Sequence, residues 1–476
     1  MSKQQGITIK KDENFSDWYS EVCFKCDLVD LRYNVQGFVV HKPWGMKIIK
    51  NIYSLFENEL EKNNHEPVLF PTVIPEKNFL KEAEHVEGFS PEVFWLTQAG
   101  DKKLEEKLAL RPTSETAMYQ MYSLWIRSHK DLPLKNYQSV SVFRNETNTR
   151  PFLRGREFLW IEAHDAFATQ EEMIEQVKED IKTSTKILEE KLGISIMTFK
   201  RPQWDKFAGA VDTYASDVLM PDGKVNQIGS THNLGNNFAK PFNVKFTDKD
   251  EQEKFVWQTS YGPGIWRIMA SLMSVHGDDN GLILPFEVSP IQVVIIPIKD
   301  SVLEKCKELK EKLETKDYRV KIDTRKETPG WKFNYWEMQG VPVRLEIGPR
   351  EVEEGKLTIS RRDLKEKEII SEEELIKKIK SLSKEILENL QKKSKYFLQS
   401  NIYEVYSRKQ IIDIIKKGGY AKINFCGKEE CANDMQMITQ GGKVRGKLAF
   451  KEEISEGTCA WCGAPAKEIV YVAKQY

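Results

Sequence analysis

The chain has 476 residues, enough for two to four domains with cores of their own. Lys+Arg and Asp+Glu both number 72, so the formal charge is zero and a whole-chain basic polyanion binder is disfavoured, although local basic patches stay open. The longest unbroken aliphatic run, residues 293–296, stops at Pro297, far short of the ~20 residues of a membrane helix; residues 1–15 hold no signal-type apolar stretch; and seven cysteines are too few for a disulfide scaffold. A soluble multidomain protein of a reducing compartment, cytoplasmic and without a membrane partner, is expected.

From the N-terminus, Cys23 and Cys26 sit among Phe15, Trp18, Tyr19, Val22 and Val29, which reads as core thiols on an amphipathic helix. The next predicted helix covers 44–62, where Ile48, Ile49, Ile52, Leu55, Phe56 and Leu60 recur at helical spacing. A strand is predicted over 68–74. Pro71 inside it cannot donate to a ladder, so this is an edge strand or an interface. Residues 110–115, Leu-Arg-Pro-Thr-Ser-Glu, read as a helix start with Thr113 or Ser114 as cap.

The stretch 137–168 carries most of the chemistry. Val140, Val142, Arg144 and Glu146 share one parity; further on, so do Phe158, Trp160, Glu162 and His164, with Leu159, Ile161 and Ala163 on the other. Alternate strand residues face opposite ways, so one face of the second strand is aliphatic or small while the other shows two aromatics, a carboxylate and an imidazole. Such a face wants a ligand, because buried Glu and His need partners. Arg144, Arg154 and Arg156 lie in and around the intervening loop, and arginine forks onto phosphate. Two antiparallel strands joined by an Arg-bearing loop suit a nucleotide. Farther on, 260–273 reads SYGPGIWRIMASLM: two glycines permit close backbone approach, and Arg267 at the start of a helical pattern can stack on a purine.

Residues 277–290 form a turn region between units. The apolar run 291–298 is typical of a buried parallel strand. A charged helix (301–315), a strand (319–323) and further alternation follow, a βαβ order for a small α/β domain that ends in a solvated amphipathic helix with Leu375, Ile379, Leu382, Ile386 and Leu390 on one face. A third unit begins near 399. Its Cys426 and Cys431 have four residues between them and Cys459 and Cys462 two, with Gly427 and Gly463 following, so that backbone amides can approach the sulfurs. That pattern suits tetrahedral thiolate coordination of Zn2+ in a closed structural site. Cys306 is alone and structural.

Taken together these motifs resemble class II aminoacyl-tRNA synthetases, and within them the prolyl-tRNA synthetases. The helix and strand ending at Pro71 look like the first motif of the class, residues 143–146 (Phe-Arg-Asn-Glu) with the Arg-rich loop like the second, and 262–267 (Gly-Pro-Gly-Ile-Trp-Arg) like a loose third. Thr113-Ser114-Glu115, the strand 158–164 (FLWIEAH), 206–210 (KFAGA) and 229–235 (GSTHNLG) are similar to prolyl-specific pocket segments; 330–334 and 344–350 are similar to an anticodon-binding domain. The zinc unit marks the archaeal/eukaryote-like group.

The resemblance implies an α/β architecture: an α+β catalytic domain on an antiparallel sheet (1–285), a small α/β anticodon-binding domain (286–398) and an α+β zinc-binding domain (399–476). It implies that L-proline and ATP form prolyl-adenylate, that the prolyl group passes to tRNA(Pro), and that the enzyme is a homodimer through the first motif. Arg144 is then the catalytic bridge between carboxylate and α-phosphate. Thr113 and Glu115 receive the secondary ammonium, and Trp160, Glu162, His164, Phe207 and His232 shape the ring pocket. Arg154 holds the terminal phosphates, Phe158 and Arg267 sandwich adenine, Glu146 completes the ATP site together with Gln227 and Ser230, which could touch the nucleotide or the amino acid, and Mg2+ accompanies the triphosphate. Arg325, Lys332, Glu337 and Arg344 are the anticodon candidates, placed with Trp336 on an edge of the parallel sheet. The stretch between Glu157 and Gly262 is too short for the editing domain of some bacterial relatives. A threonyl-type enzyme is disfavoured by the lack of a pocket Cys/His/His set, a non-catalytic paralogue by intact Arg144, Arg154 and Arg267, and a zinc-ribbon nucleic-acid binder by the neutral charge.

Overall fold

The computed structural model describes residues 6–78 and 93–476. Its centre is an eleven-stranded sheet. In spatial order the strands are Ile402–Glu404, Tyr420–Phe425, Glu468–Lys474, Gly442–Leu448, Met197–Lys200, Asp212–Leu219, Val225–Gly235, Trp257–Pro263, Glu157–Phe167, Leu134–Phe143 and Glu66–Pro67. All neighbours are antiparallel except the outermost pair at each end. The first four strands come from the cysteine-bearing unit. Its Gly442–Leu448 strand pairs Lys447 with Lys200 and Leu448 with Phe199, so that unit continues the central sheet.

The helix Pro43–Lys62 buries Ile48, Ile49, Ile52, Phe56 and Leu60 as its spacing predicts, with Leu55 at the margin. It packs with Phe15–Lys25 and Ile265–His276 on the face of the sheet that carries Ile161 and Ala163. Cys23 and Cys26 are buried in this core, as is Cys306 in the core of the second unit. The helix Glu115–Trp125 covers the opposite face. Ser114 occupies its cap position, but the hydroxyl accepts from Gln138 Nε2 at 2.8 Å instead of from a helix amide.

The strand predicted over 68–74 is broken. Glu66–Pro67 pairs with Leu134–Phe143, Val73–Pro75 pairs with Lys102–Leu110 in a separate three-stranded sheet, and the residues between cross from one to the other. Pro71 lies exposed in that crossing, and the Phe70 amide donates to the Gln138 side chain at 3.0 Å rather than to a ladder.

The second unit holds a five-stranded sheet in the order Val320–Ile322, Val293–Pro297, Val343–Ile347, Lys356–Arg361, Lys367–Ser371; the first three run parallel and the last two antiparallel. The helix Leu375–Ser400 buries the five apolar residues of its predicted face. Its solvated side is as expected, but it also runs on to Leu398, which packs against the third unit.

Candidate active site

The hairpin Leu134–Phe143/Glu157–Phe167 is in register as the parity reading requires: Val142 faces Phe158, Val140 faces Trp160 and Gln138 faces Glu162. Phe158, Trp160, Glu162 and His164 all point into one cavity of about 610 Å³. Every other residue assigned to the amino acid or the nucleotide also lines it: Thr113, Glu115, Arg144, Glu146, Arg154, Phe207, Gln227, Ser230, His232 and Arg267. Arg156 does not; its side chain donates to the Glu146 carbonyl at 3.0 Å and braces the loop. At the loop's return Gly155 is required by space, since a Cβ there would stand 2.5 Å from the Trp266 ring.

One end of the cavity is cationic. The Arg144 guanidinium lies 5.3 Å from the centroids of both Phe158 and Trp160, and its Nε donates to Pro112 O at 3.2 Å. Arg154 reaches Glu146 at 3.5 Å and the main-chain oxygen of Tyr476 at 3.4 Å. Arg267 is held by Leu153 O at 3.2 Å and Gln227 O at 3.0 Å. Burial, followed by the like charges of Arg144 and Arg154, pulls Arg267 down to about 10. Burial also lowers Arg144, opposed by Glu115 and Glu162. A buried guanidinium whose affinity for its proton is lowered by two neighbouring guanidiniums marks a site arranged for a polyanion.

The other end is aromatic and finely hydrogen-bonded. The Phe207 and His232 rings stand 4.7 Å apart. Burial and then the neighbouring His164 pull His232 down to about 3, so it is neutral, bonded to Thr213 Oγ1 at 2.9 Å and Ser230 Oγ at 3.0 Å. His164 is raised: burial opposes its charge, but the hydrogen bond it donates to Glu162 and the charges of Glu115 and Glu162 together outweigh it. Its Nδ1 meets the Tyr119 hydroxyl at 3.0 Å and its Nε2 meets Glu162 Oε2 at 3.4 Å. The Thr113 hydroxyl donates to Glu115. Glu162 Oε1 and Trp160 Nε1 are buried without partners, one acceptor and one donor beside the same space.

The structure also brings in residues that sequence reasoning missed. Arg201, Lys206, Lys443 and Gln475 line the cavity, the last two from the third unit. Lys206 stood inside a quoted motif; the others carry no local signal, because strand pairing across the chain puts them there.

The four cysteines of the third unit converge, with all four sulfurs within 4.8 Å of one another. Cys431 and Cys459 Sγ are 3.9 Å apart, Cys426 and Cys462 Sγ 3.7 Å. Tetrahedral bonds of about 2.3 Å place sulfurs about 3.8 Å apart, so the set fits Zn2+. Gly427 and Gly463 adopt φ of +75° and +74°, and the Lys428 and Ala464 amides donate to the Cys426 and Cys462 sulfurs.

The anticodon candidates separate. Glu337 and Arg344 border a second cavity of about 240 Å³, with Ser360, Arg361, Arg362 and Lys367. Arg325 and Lys332 lie off it: Arg325 clamps Asp323 at 2.6 Å and stacks 4.0 Å over Tyr335, while the buried Lys332 donates to Asp323 O at 3.1 Å. The expected sheet-edge location is corrected. Arg344 sits on an interior strand, Lys332, Trp336 and Glu337 on the helix Pro329–Met338, and Arg325 in the loop before it; Trp336 is a core residue.

Comparison with known proteins agrees with this geometry. Family models match in three blocks: "tRNA synthetase class II core domain (G, H, P, S and T)" over 94–276, "Anticodon binding domain" over 292–382 and "Prolyl-tRNA synthetase, C-terminal" over 408–476. A proline–tRNA ligase of Thermofilum pendens is 62% identical over 481 residues, covering 99% of this chain and 100% of the relative, and that of Pyrococcus abyssi is 43% identical, covering 98% of each. Among solved structures, Giardia lamblia prolyl-tRNA synthetase in complex with prolyl-adenylate superposes with a TM-score of 0.95 at 35% identity, covering 99% of this chain and 100% of that one. The Cryptosporidium parvum enzyme complexed with halofuginone and AMPPNP gives 0.94 at 34%, covering 100% and 98%.

Proposed function

Because this chain belongs to the prolyl-tRNA synthetases, class II ligases that join proline to tRNA at the expense of ATP, we propose that its cavity is divided into a proline end and an ATP end with Arg144 at the junction. The observation that carries the division is the segregation of charge: three guanidiniums gather at one end, and a neutral His232–Phe207 pair backs the other. Proline's carboxylate oxygen attacks the α-phosphorus of ATP, forming the prolyl-adenylate bond as the α–β bridge breaks and pyrophosphate leaves, so two anions must meet. Nothing needs to remove a proton from the nucleophile; the cost lies in charge and alignment. Arg144 bridges the two, its plane supported between Phe158 and Trp160.

Thr113 and Glu115 take the secondary ammonium. Trp160, Glu162, His164, Phe207 and His232 enclose the pyrrolidine ring, and the unpartnered Trp160 and Glu162 atoms are available to the substrate. Arg154 takes the terminal phosphates, Phe158 and Arg267 the adenine, and Gln227 and Ser230 the remaining polar edge. Glu146, 3.5 Å from Arg154, is the carboxylate proposed to face the phosphates, where Mg2+ accompanying ATP would add charge neutralisation.

The second cavity, with Glu337 and Arg344, is the anticodon reader; Arg325 and Lys332 order its border. The divisions 1–285, 286–398 and 399–476 are proposed as functional units, the second boundary falling inside the last turn of the helix Leu375–Ser400. Cys426, Cys431, Cys459 and Cys462 hold a structural Zn2+. The exposed Leu31, Tyr33, Val40 and Leu69 are the apolar surface of a homodimer. Among the described residues no helix is long and apolar enough to cross a membrane, and cytoplasmic residence is proposed. The deciding experiment is ATP–pyrophosphate exchange with each of the twenty amino acids: proline alone should drive it strongly, and exchange indifferent to proline would overturn the reading.

A further inference from the structure

The sheet that runs unbroken from the cysteine-bearing unit into the active site carries a buried guanidinium to the junction, beside the cavity-lining Lys443 and Gln475. Arg445, on the Gly442–Leu448 strand, is fully buried. Its Nε and Nη2 grip the two oxygens of Asp217 at 2.7 and 2.9 Å, its Nη1 donates to Gln475 Oε1 at 2.6 Å, and its Nη2 lies 3.5 Å from Gln227 Oε1. Arg201 closes the circuit: it donates to Asp217 at 3.0 Å, to Gln227 Oε1 at 2.9 Å and to the Arg445 carbonyl at 3.0 Å.

Two guanidiniums therefore converge on one amide oxygen of Gln227. With Oε1 so occupied, the Nε2 amide is the end of Gln227 left for the cavity, a donor for a hydroxyl or phosphate oxygen. The main chain of Gln227 is in turn the acceptor that holds Arg267. Gln227 is thus the joint between the network and the cationic end of the site. A fork gripping a carboxylate in a dry interior has few alternative geometries, which makes it a rigid support.

We propose that Arg445 is a positioning residue for ATP: through Asp217, Arg201 and Gln227, the third unit sets the donor direction of Gln227 and the seat of Arg267. The inference rests on the assignment of the Gln227 end of the cavity to ATP. It predicts a defect in one substrate only, since Thr113, Glu115 and the Phe207–His232 pair make none of these contacts.

The test is steady-state ATP–pyrophosphate exchange with the full chain, for Arg445→Met, Arg445→Lys and Gln475→Ala, with zinc content and thermal unfolding measured alongside. Arg445→Met should raise the KM for ATP at least tenfold and change the KM for proline less than twofold, with zinc retained. Arg445→Lys, which keeps charge but loses the fork, should raise it about threefold to tenfold. Gln475→Ala, which loosens Arg445 without stranding a buried charge, should raise it about threefold. If Arg445→Met does not fold, the other two decide by the same criterion. An ATP KM within twofold of wild type in the folded variants overturns the proposal, as does an equal rise for both substrates, which marks a general structural role. A selective rise in the proline KM overturns instead the division of the cavity on which the inference stands.

Discussion

Arg144 does two jobs that lysine cannot do together. Its planar guanidinium lies against two aromatic rings while its donors face the cavity. Arg144→Ala should reduce proline-dependent exchange by at least a hundredfold, about 2.7 kcal/mol of transition-state stabilisation, with an unchanged melting temperature; exchange within tenfold of wild type would remove it from the role. Arg144→Lys should recover little of the loss, because a point charge on a flexible stem neither stacks nor bridges. Glu162 poses a different case. One oxygen meets His164 and the other is buried without a donor. Glu162→Gln should raise the KM for proline more than that for ATP, a split measurable in the same assay.

At the scale of elements, two polar clusters hold the large sheet to what packs on it. On the face away from the cavity, His65, Asp165 and Asp180 meet in full burial, joining the end of the Pro43–Lys62 helix and the Gln170–Thr185 helix to the sheet. Burial, then the charge of Asp165, raises Asp180 from 3.8 to about 7, although Thr231 and Gln176 donate to it. His65 is raised as well: burial opposes its charge, but the charge of Asp165, the hydrogen bond to it and the charge of Asp180 together outweigh burial. In both groups the folded state binds the proton more tightly than the unfolded chain. Their contribution to stability is therefore fullest in acid and declines as pH rises through the folded values. Thermal unfolding should show the Asp180 part of this decline between about pH 4 and pH 7 and the His65 part above about pH 6.5, and Asp180→Asn should flatten the former; an unchanged pH profile in that variant would show that Asp180 is not its source. The second cluster is the cysteine set. Metal analysis should find about one zinc per chain, lost in Cys459→Ser. Because that unit's strands continue the central sheet, chelation should lower exchange activity too.

Across the whole molecule, activation and tRNA selection are proposed to use different cavities, so they should come apart under mutation. Arg344→Ala and Glu337→Ala should weaken aminoacylation of proline tRNA several-fold and leave ATP–pyrophosphate exchange nearly unchanged. A parallel fall in both would assign these residues to folding, a reading with some basis: Arg344 pairs with Glu346 at 2.9 Å, and Glu337 accepts from Asn280 at 2.8 Å. The exposed apolar residues of the N-terminal hairpin, Leu31, Tyr33 and Val40, and separately Leu69, 81% exposed and two residues before Pro71, predict a dimer by light scattering. A 55.3 kDa particle at micromolar concentration would argue against it, and Leu69→Glu should shift the equilibrium toward monomer.

What the amino-acid sequence determined by itself was local and periodic. The two-residue repeat of Phe158, Trp160, Glu162 and His164 needs only strand sterics to aim four side chains one way, and the helical repeat of Ile48, Ile52 and Phe56 needs only a helix. The paired cysteines with their glycines are likewise near neighbours, and so are the motifs that carried the family resemblance. Tertiary structure decided what depends on which strands become neighbours. The segment around Pro71 divides between two sheets, because its ends find different partners. The strand of Arg344 lies inside its sheet, because Lys356–Arg361 pairs on its far side. Lys443 lines the active site, and Arg445 meets Asp217 from 228 residues along the chain, because Gly442–Leu448 pairs with Met197–Lys200, while Gln475 reaches the cavity through its bridge to Val225. Side-chain periodicity records which way a residue faces; it holds no information about the strand across the ladder, which is chosen by the packing of the whole chain.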